Sequence, residues 1–242
     1  GEFGGLGLGL EGHKWVDKSW GYRGVPDMRT LTRRYLELWR GVRDLRDAKG
    51  LSAAVYTQIT DVETECNGLL TYDRRVFKVD VAQAFAALTR GEFPPAPVYK
   101  TVIPTASEQP STWRYTTAQP ADGWFKPDFD AKDWKEGPSG FGMRATPGAE
   151  VRTEWKTADI WLRREITLPD RKFGELFLMV HHDEDAEIYL NGVLAAKLAR
   201  YLTKYEEVAI APDAAKTLRP GKSVIAIHCR QTKGGQYIDA GL

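Results

Sequence analysis

The sequence predicts an α/β first third followed by an all-β second half, and three observations carry that reading. Between Asp27 and Arg90, apolar residues recur at helical spacing on both sides of a short β-branched run. Five prolines, Pro94, Pro95, Pro97, Pro104 and Pro110, then crowd residues 91–111. From Trp113 onward, short strand-like runs alternate with Pro, Gly and Asp punctuation.

Each element has a local reason. Met28, Leu31, Tyr35, Leu38, Val42 and Leu45 step by threes and fours, which puts them on one face of a helix over 27–49. Pro26 precedes that helix, Asp27 can cap it, and Gly50 stands where a left-handed closing residue belongs. The run from Leu51 to Thr60 is short, largely apolar and partly β-branched. It reads as a strand buried on both faces, the kind a parallel sheet needs. A second helix is predicted over 81–90, with Val81, Phe85 and Leu88 on one face and Gly91 closing it. The Pro-rich stretch 91–111 reads as a semi-rigid extended linker. Beyond it, strands are predicted at 113–117, 160–168, 176–181, 186–190, 206–210 and 224–230, with Asn191-Gly192 as a hairpin turn. That half is expected to be an antiparallel β-sandwich or jelly roll.

Composition narrows the function classes. The 242 residues carry 34 basic and 33 acidic side chains, a net charge of +1, so the basic excess of a nucleic-acid footprint is missing. No apolar run approaches the ~18–20 residues that cross a bilayer. Cys66 and Cys229 are far apart with no partner at zinc spacing, which argues against a disulfide scaffold and a zinc site. No cofactor is expected. With 8 Trp, 10 Tyr and 9 Phe, the chain has the aromatic content that sugar stacking uses, and that core packing uses more often.

Two clusters could carry chemistry. The first is Gly1-Glu2-Phe3-Gly4-Gly5-Leu6-Gly7-Leu8-Gly9, an acid followed by glycines that permit close backbone approach to a ligand; a flexible terminus is the other reading. No Lys-Ser/Thr follows these glycines, so a phosphate loop is disfavoured. The second runs from Tyr56 through Gln58, Asp61, Glu63 and Asn67 to Arg74, where polar side chains gather as a buried strand gives way to a loop. An ordinary surface loop would look similar. Trp15, Trp20 and Tyr22, with His13 nearby, fall in one loop, where they could line a site rim.

These residues resemble a family. Gly1-Glu2-Phe3-Gly4-Gly5, paired with the run from Gly50 through Tyr56-Thr-Gln-Ile-Thr-Asp-Val-Glu63 to Asn67-Gly-Leu-Leu-Thr-Tyr-Asp-Arg74, resembles the end of the catalytic barrel in glycoside hydrolase family 2. The resemblance implies that residues 1–90 are the C-terminal part of a (β/α)₈ barrel, strands seven and eight with their helices. It implies that Glu2 is the catalytic nucleophile at the end of strand seven. It also implies that Trp15, Trp20, Tyr56, Gln58, Asp61 and Glu63 contact substrate. Tyr56 stands where many members have a Trp, and Asn67-Gly68-Leu69 lacks the Asn-x-Lys of the β-glucuronidases, which favours a neutral β-linked sugar. A retaining glycosidase needs two carboxyl groups about 5–5.5 Å apart. The family's acid/base Glu lies on strand four, which no part of this sequence matches. The expectation is therefore a fragment, inactive alone, whose partners are an oligo- or polysaccharide and the upstream part of the same enzyme. A periplasmic or extracellular bacterial setting goes with that reading.

Residues 112–242 resemble the galactose-binding-like sandwiches attached to glycosidases, through Trp113, Gly137-Pro-Ser-Gly-Phe-Gly142, Trp161-Leu-Arg-Arg-Glu-Ile166 and the run His182 to Gly192. Trp124, Trp134 and Trp155 are candidates there for a sugar platform or for core. Asp183, Glu184 and Asp185 read as a solvated acidic turn rather than a calcium site, and alternation sends His181 and His182 to opposite faces. The rival to the enzyme reading is a non-catalytic carbohydrate-binding or structural module.

Overall fold

A computed structural model of the chain describes every residue except 26, 96, 97 and 172, so Pro26 and Pro97 lie outside the described residues. The chain divides into two compact units, Gly1–Val98 and Tyr99–Leu242.

The first unit opens with three short strands, β1 (Glu2–Gly4), β2 (Leu6–Gly7) and β3 (Arg23–Gly24). Helix α1 (Met28–Lys49) begins where the Asp27 carboxylate accepts from the Thr30 amide at 2.6 Å, and it ends at left-handed Gly50, φ 70°. Strand β4 (Val55–Thr57) follows and pairs parallel with β1, Glu2 opposite Val55 and Gly4 opposite Thr57. A second parallel pair joins β2 to β3. Helix α2 (Val81–Phe85) is capped by Asp80 and runs into a π turn, Ala86–Arg90, closed by Gly91 at φ 72°. The core is Leu6, Leu8, Leu31, Tyr35, Leu36, Val79, Ala84 and Ala87.

Two expectations change here. The strand near Val55 is three residues long and Val55 is exposed, so it is not buried on both faces. On the second helix the small Ala84 and Ala87 face the core, while Val81, Phe85 and Leu88 are exposed. The α-helical period correctly grouped those three residues on one face, but periodicity does not say which face has a neighbour.

The second unit is a two-sheet β structure. Its strands are β5 (Thr112–Thr116), β6 (Lys135–Pro138), β7 (Phe141–Gly142), β8 (Thr153–Glu154), β9 (Asp159–Leu168) and β10 (Phe177–Asp183). Then come β11 (Asp185–Leu190), β12 (Val193–Leu198), β13 (Glu206–Ala209), a single helical turn α3 (Pro212–Ala215), β14 (Gly221–Arg230) and β15 (Tyr237–Gly241). One sheet has the order β12-β11-β14-β9-β5-β6, the other β13-β10-β15-β7-β8. All pairings are antiparallel except β7 with β8, which are parallel. Alternation along β9, β10, β11 and β14 drives Ile160, Leu162, Leu178, Val180, Ile188, Ile225 and Ile227 into one core. The hairpin between β11 and β12 turns at Asn191 (φ 48°) and Gly192 (φ 85°), both left-handed as a type I′ turn requires.

The segment expected as a linker differs in its second half. Ile103 belongs to the sandwich core, the Val102 and Ile103 amides donate to the Leu242 carbonyl, and the Ala106 amide donates to Asp239. Proline stiffness read as spacing; the apolar Val102-Ile103 pair is what ties the segment down.

Candidate functional site at the ends of β1 and β4

The parallel register lays the two sequence motifs side by side. Glu2 opens β1 level with Val55, and its side chain is exposed. Phe3 packs edge-on against Trp39 of α1 at 5.1 Å and against Tyr56 of β4 at 5.4 Å, and Tyr56 meets Tyr35 of α1 at 4.9 Å. Past the strands, the Gly5 amide donates to the Thr57 carbonyl at 2.9 Å. Gly5 is left-handed (φ 72°) and faces the Tyr22 ring, and Gly7 lies against Gly21 so closely that a Cβ on Gly21 would stand 2.6 Å from the Gly7 Cα. The glycines serve close approach of backbone to backbone.

Two loops then interlock, the one that follows β2 and the one that follows β4. The Leu8 amide donates to the Cys66 carbonyl, the Cys66 amide to the Trp20 carbonyl, and the Trp20 amide to the Thr64 carbonyl, all within 2.8–2.9 Å. The Trp20 indole donates to Thr64 Oγ1 at 3.2 Å. Farther out, His13 Nδ1 lies 2.8 Å from Asp73 Oδ2, and the rings of Trp15 and Tyr72 stand 4.7 Å apart. Asp73 also accepts from the Thr71 hydroxyl and the Arg75 amide. The Thr71 and His13 contacts hold its carboxyl down at about 2, so it is an anion at any working pH. Trp15 (53% exposed), Trp20, Tyr22 and Tyr72 all show aromatic surface to solvent.

The expected site residues thus separate. Trp15 and Trp20 are exposed on the interlocked loops. Glu63 is exposed and left-handed, φ 50°. Gln58 is half-buried, and its Nε2 has no partner among the described residues. Tyr56 sits in the layer between β4 and α1, where burial pushes its hydroxyl well above the ordinary range. Asp61 is a correction: it does not reach the surface. It is buried in an ion pair with Lys78, Nζ to Oδ1 at 2.6 Å, and it also accepts from the Gly68 amide. Lys78 is completely buried and donates further to the carbonyls of Leu8 and Cys66. Asp61 and Lys78 bolt the two loops together from inside. A lysine amid Val76-Phe77 and Val79 was the available signal for a buried ion pair, and Thr71-x-Asp73 was the signal for the rim.

In the second unit, Trp155 is core, with its indole donating to the Asp159 carbonyl at 3.2 Å. Trp124 stands edge-on to Phe125, Tyr189 and His228, and Trp134 to Phe129. Asp183 is buried and Asp185 accepts from the Arg200 amide. Among the described residues no group of three or more His, Cys, Asp or Glu is placed to hold a metal ion, and no helix is long and apolar enough to cross a membrane.

No protein-family model matches the chain. A curated relative, an α-L-rhamnosidase of Streptomyces avermitilis, is 30% identical over 122 residues, which is 49% of this chain and 12% of that protein. Similar solved structures include a glycosyl hydrolase family 2 member from Bacteroides cellulosilyticus, 15% identical, covering 54% of this chain and 19% of that one with a TM-score of 0.40. A β-glycosidase from Bacteroides vulgatus is 13% identical over 59% of this chain and 20% of its own, TM-score 0.39. The β-glucuronidase of Faecalibacterium prausnitzii is 19% identical over 56% and 22%, TM-score 0.35. The chain therefore spans about an eighth of the curated relative and about a fifth of these structures. The relatives found by sequence and by shape are glycoside hydrolases, family 2 members among them.

Proposed function

We propose that the first unit is the closing part of a retaining glycoside hydrolase barrel, strands seven and eight with their helices, and that the second is its galactose-binding-like accessory sandwich. In this reading Glu2 is the nucleophile that attacks the anomeric carbon of a neutral β-linked sugar. The acid/base carboxyl comes from polypeptide upstream of Gly1. Trp15 and Trp20 on the loop after β2, and Gln58 and Glu63 on the loop after β4, face the substrate, and Tyr56 on β4 lies behind them.

The observation that supports this most is the parallel β1–β4 pair joined across α1, which brings Glu2 and the Tyr56–Gln58 motif side by side. A carboxylate that must attack carbon is needed unpaired and accessible. Glu2 is exposed, whereas the Asp61 carboxylate is buried on Lys78 and the exposed Asp73 carboxylate is committed to His13. In the full-length gene product, Glu2→Gln should abolish hydrolysis of an aryl β-galactoside while leaving folding intact. Full activity in that variant would remove Glu2 from the mechanism.

The rival reading, a non-catalytic carbohydrate-binding module, is favoured by the two exposed ring pairs, Trp15 with Tyr72 and Trp20 with Tyr22. Saccharide affinity with no turnover in the full-length product would select it.

A further inference from the structure

One polar cluster in the second unit takes no part in the proposed chemistry. On β10 and β15, His181 stands opposite Asp239 and Asp183 opposite Tyr237, on the sheet face turned away from the core residues Val180, Ile238 and Ala240. Such a face should meet water, yet His181 and Tyr237 are fully buried and Asp239 nearly so. Two loops cover them, residues 143–150 and 201–205. They meet at left-handed Gly148, where an added Cβ would stand 2.2 Å from the Thr203 carbonyl and 3.6 Å from His181 Cε1. The first loop is pinned to the sheet by Thr146, which exchanges hydrogen bonds with the Gln236 main chain. The second is pinned by the Leu202 amide donating to the His182 carbonyl.

We propose that these two loops form a pH-gated cover over the five-stranded sheet, with the His181 imidazole as trigger and its protonation as the opening event. The ring is wedged between Tyr205 (centroids 5.5 Å) and Tyr237 (4.6 Å), and neither ring nitrogen has a hydrogen-bond partner among the described residues. Among the described residues the Leu202 main chain is the one acceptor near the ring, so an imidazolium there would still carry an unmet N–H donor in a buried site. The carboxylate directly opposite on β15 is already engaged. Asp239 already accepts from the Tyr205 hydroxyl and the Ala106 amide, both at 2.7 Å, and half-buried Arg164 lies in its field. Tyr205 in turn reaches the Tyr237 hydroxyl at 3.1 Å. On its own strand, His182 is also held neutral by burial and is of the same sign when charged, while Asp183 is buried and burial raises its carboxyl toward the neutral form. Arg144, Glu150 and Lys204 on the covering loops point to solvent.

The direction of titration agrees. Burial lowers the affinity of His181 for a proton, more than the nearby Leu202 main chain raises it. A histidine depressed on folding is neutral and stabilising above its unfolded value of about 6.5, and that stability is lost as pH falls below it. Asp239, raised by burial, acts in the opposite direction, so a fall in protection on acidification cannot come from it.

The test is hydrogen exchange of the intact 242-residue chain at pH 7.5 and 5.0, corrected for intrinsic rates. Peptides over 143–150 and 201–205 should lose protection about tenfold at pH 5.0. His181→Phe, which keeps a ring between the two tyrosines, should remove that loss. Equal protection at both pH values, or the same loss in the variant, overturns the proposal. Should His181→Phe not fold, the His181 Cε1 proton in the unmodified chain decides. Titration below 6.5 in step with loop opening supports the gate, and titration at or above 6.5 overturns it.

Discussion

Replacing Lys78 with Met tests what holds the two site loops in register. The ammonium is 0% exposed and donates to Asp61 Oδ1, the Leu8 carbonyl and the Cys66 carbonyl, so it links the chain after β2 to both ends of the 61–67 loop. Met fills nearly the same volume, which leaves one main loss: Asp61 becomes a buried carboxylate with no countercharge. Breaking a buried pair from one side costs about 3–5 kcal/mol. With a urea slope on the order of 2 kcal/mol/M, the transition of the first unit should move down by about 2 M. Unfolding of the intact chain followed by tryptophan fluorescence at pH 7.5 would show it, with Trp39 as a reporter packed on Phe3. The penalty should depend on pH with a definite sign. Burial already raises the Asp61 carboxyl above its ordinary value despite Lys78, and without the ammonium it rises further. A carboxyl raised on folding favours the protonated form. The variant should therefore regain stability as pH falls toward the unfolded value of about 3.9. The double variant Asp61→Asn/Lys78→Met should be more stable than Lys78→Met alone. A midpoint shift under about 0.5 M, or a penalty that grows on acidification, would refute the reasoning.

Three other outcomes follow from named contacts. Gly21→Ala puts a Cβ 2.6 Å from both the Gly7 Cα and Asn67 Oδ1, so it should destabilise the first unit by about 1–3 kcal/mol in the same urea experiment. Asn191→Ala keeps a left-handed residue without the side chain that accepts from the Val224 amide at 2.8 Å and donates to the Thr217 carbonyl. It should lower the stability of the sandwich by about 1–3 kcal/mol by thermal unfolding. Glu2→Gln, at an exposed position, should change stability by less than about 0.5 kcal/mol, which separates a loss of activity from a loss of fold.

Where the sequence was legible, a local rule had little competition. Asp27 and Gly50 bound the long helix because capping and left-handed closure depend on a few adjacent atoms. Asn191-Gly192 turns the hairpin for the same kind of reason. Strand β11 showed itself through alternation, and β9 and β14 through apolar, β-branched runs bounded by turn residues. What stayed hidden depends on partners distant in sequence. Short strands such as β7 and β8 have two residues each, too few for a period to register. Val81, Phe85 and Leu88 have helical spacing but lie on the exposed face, with Arg90 over the Phe85 ring, whereas the small Ala84 and Ala87 face the core. At the site, Asp61 looked like one more polar residue at a strand end. Only the arrival of Lys78 from seventeen residues away turns it into a buried strut. The rim joins residues sixty positions apart, His13 and Asp73, and no local pattern could have announced that pair.

If Glu2 is the proposed nucleophile, it is one half of a carboxyl pair whose other half lies upstream. Reading the coding DNA in frame ahead of the Gly1 codon tests it most directly. The expected result is an open frame of several hundred codons with an Asn-Glu at the end of a buried strand, two strands or more before Glu2. A start codon or a signal peptide immediately before Gly1 would leave Glu2 without a partner and rule it out as the nucleophile of a retaining glycosidase.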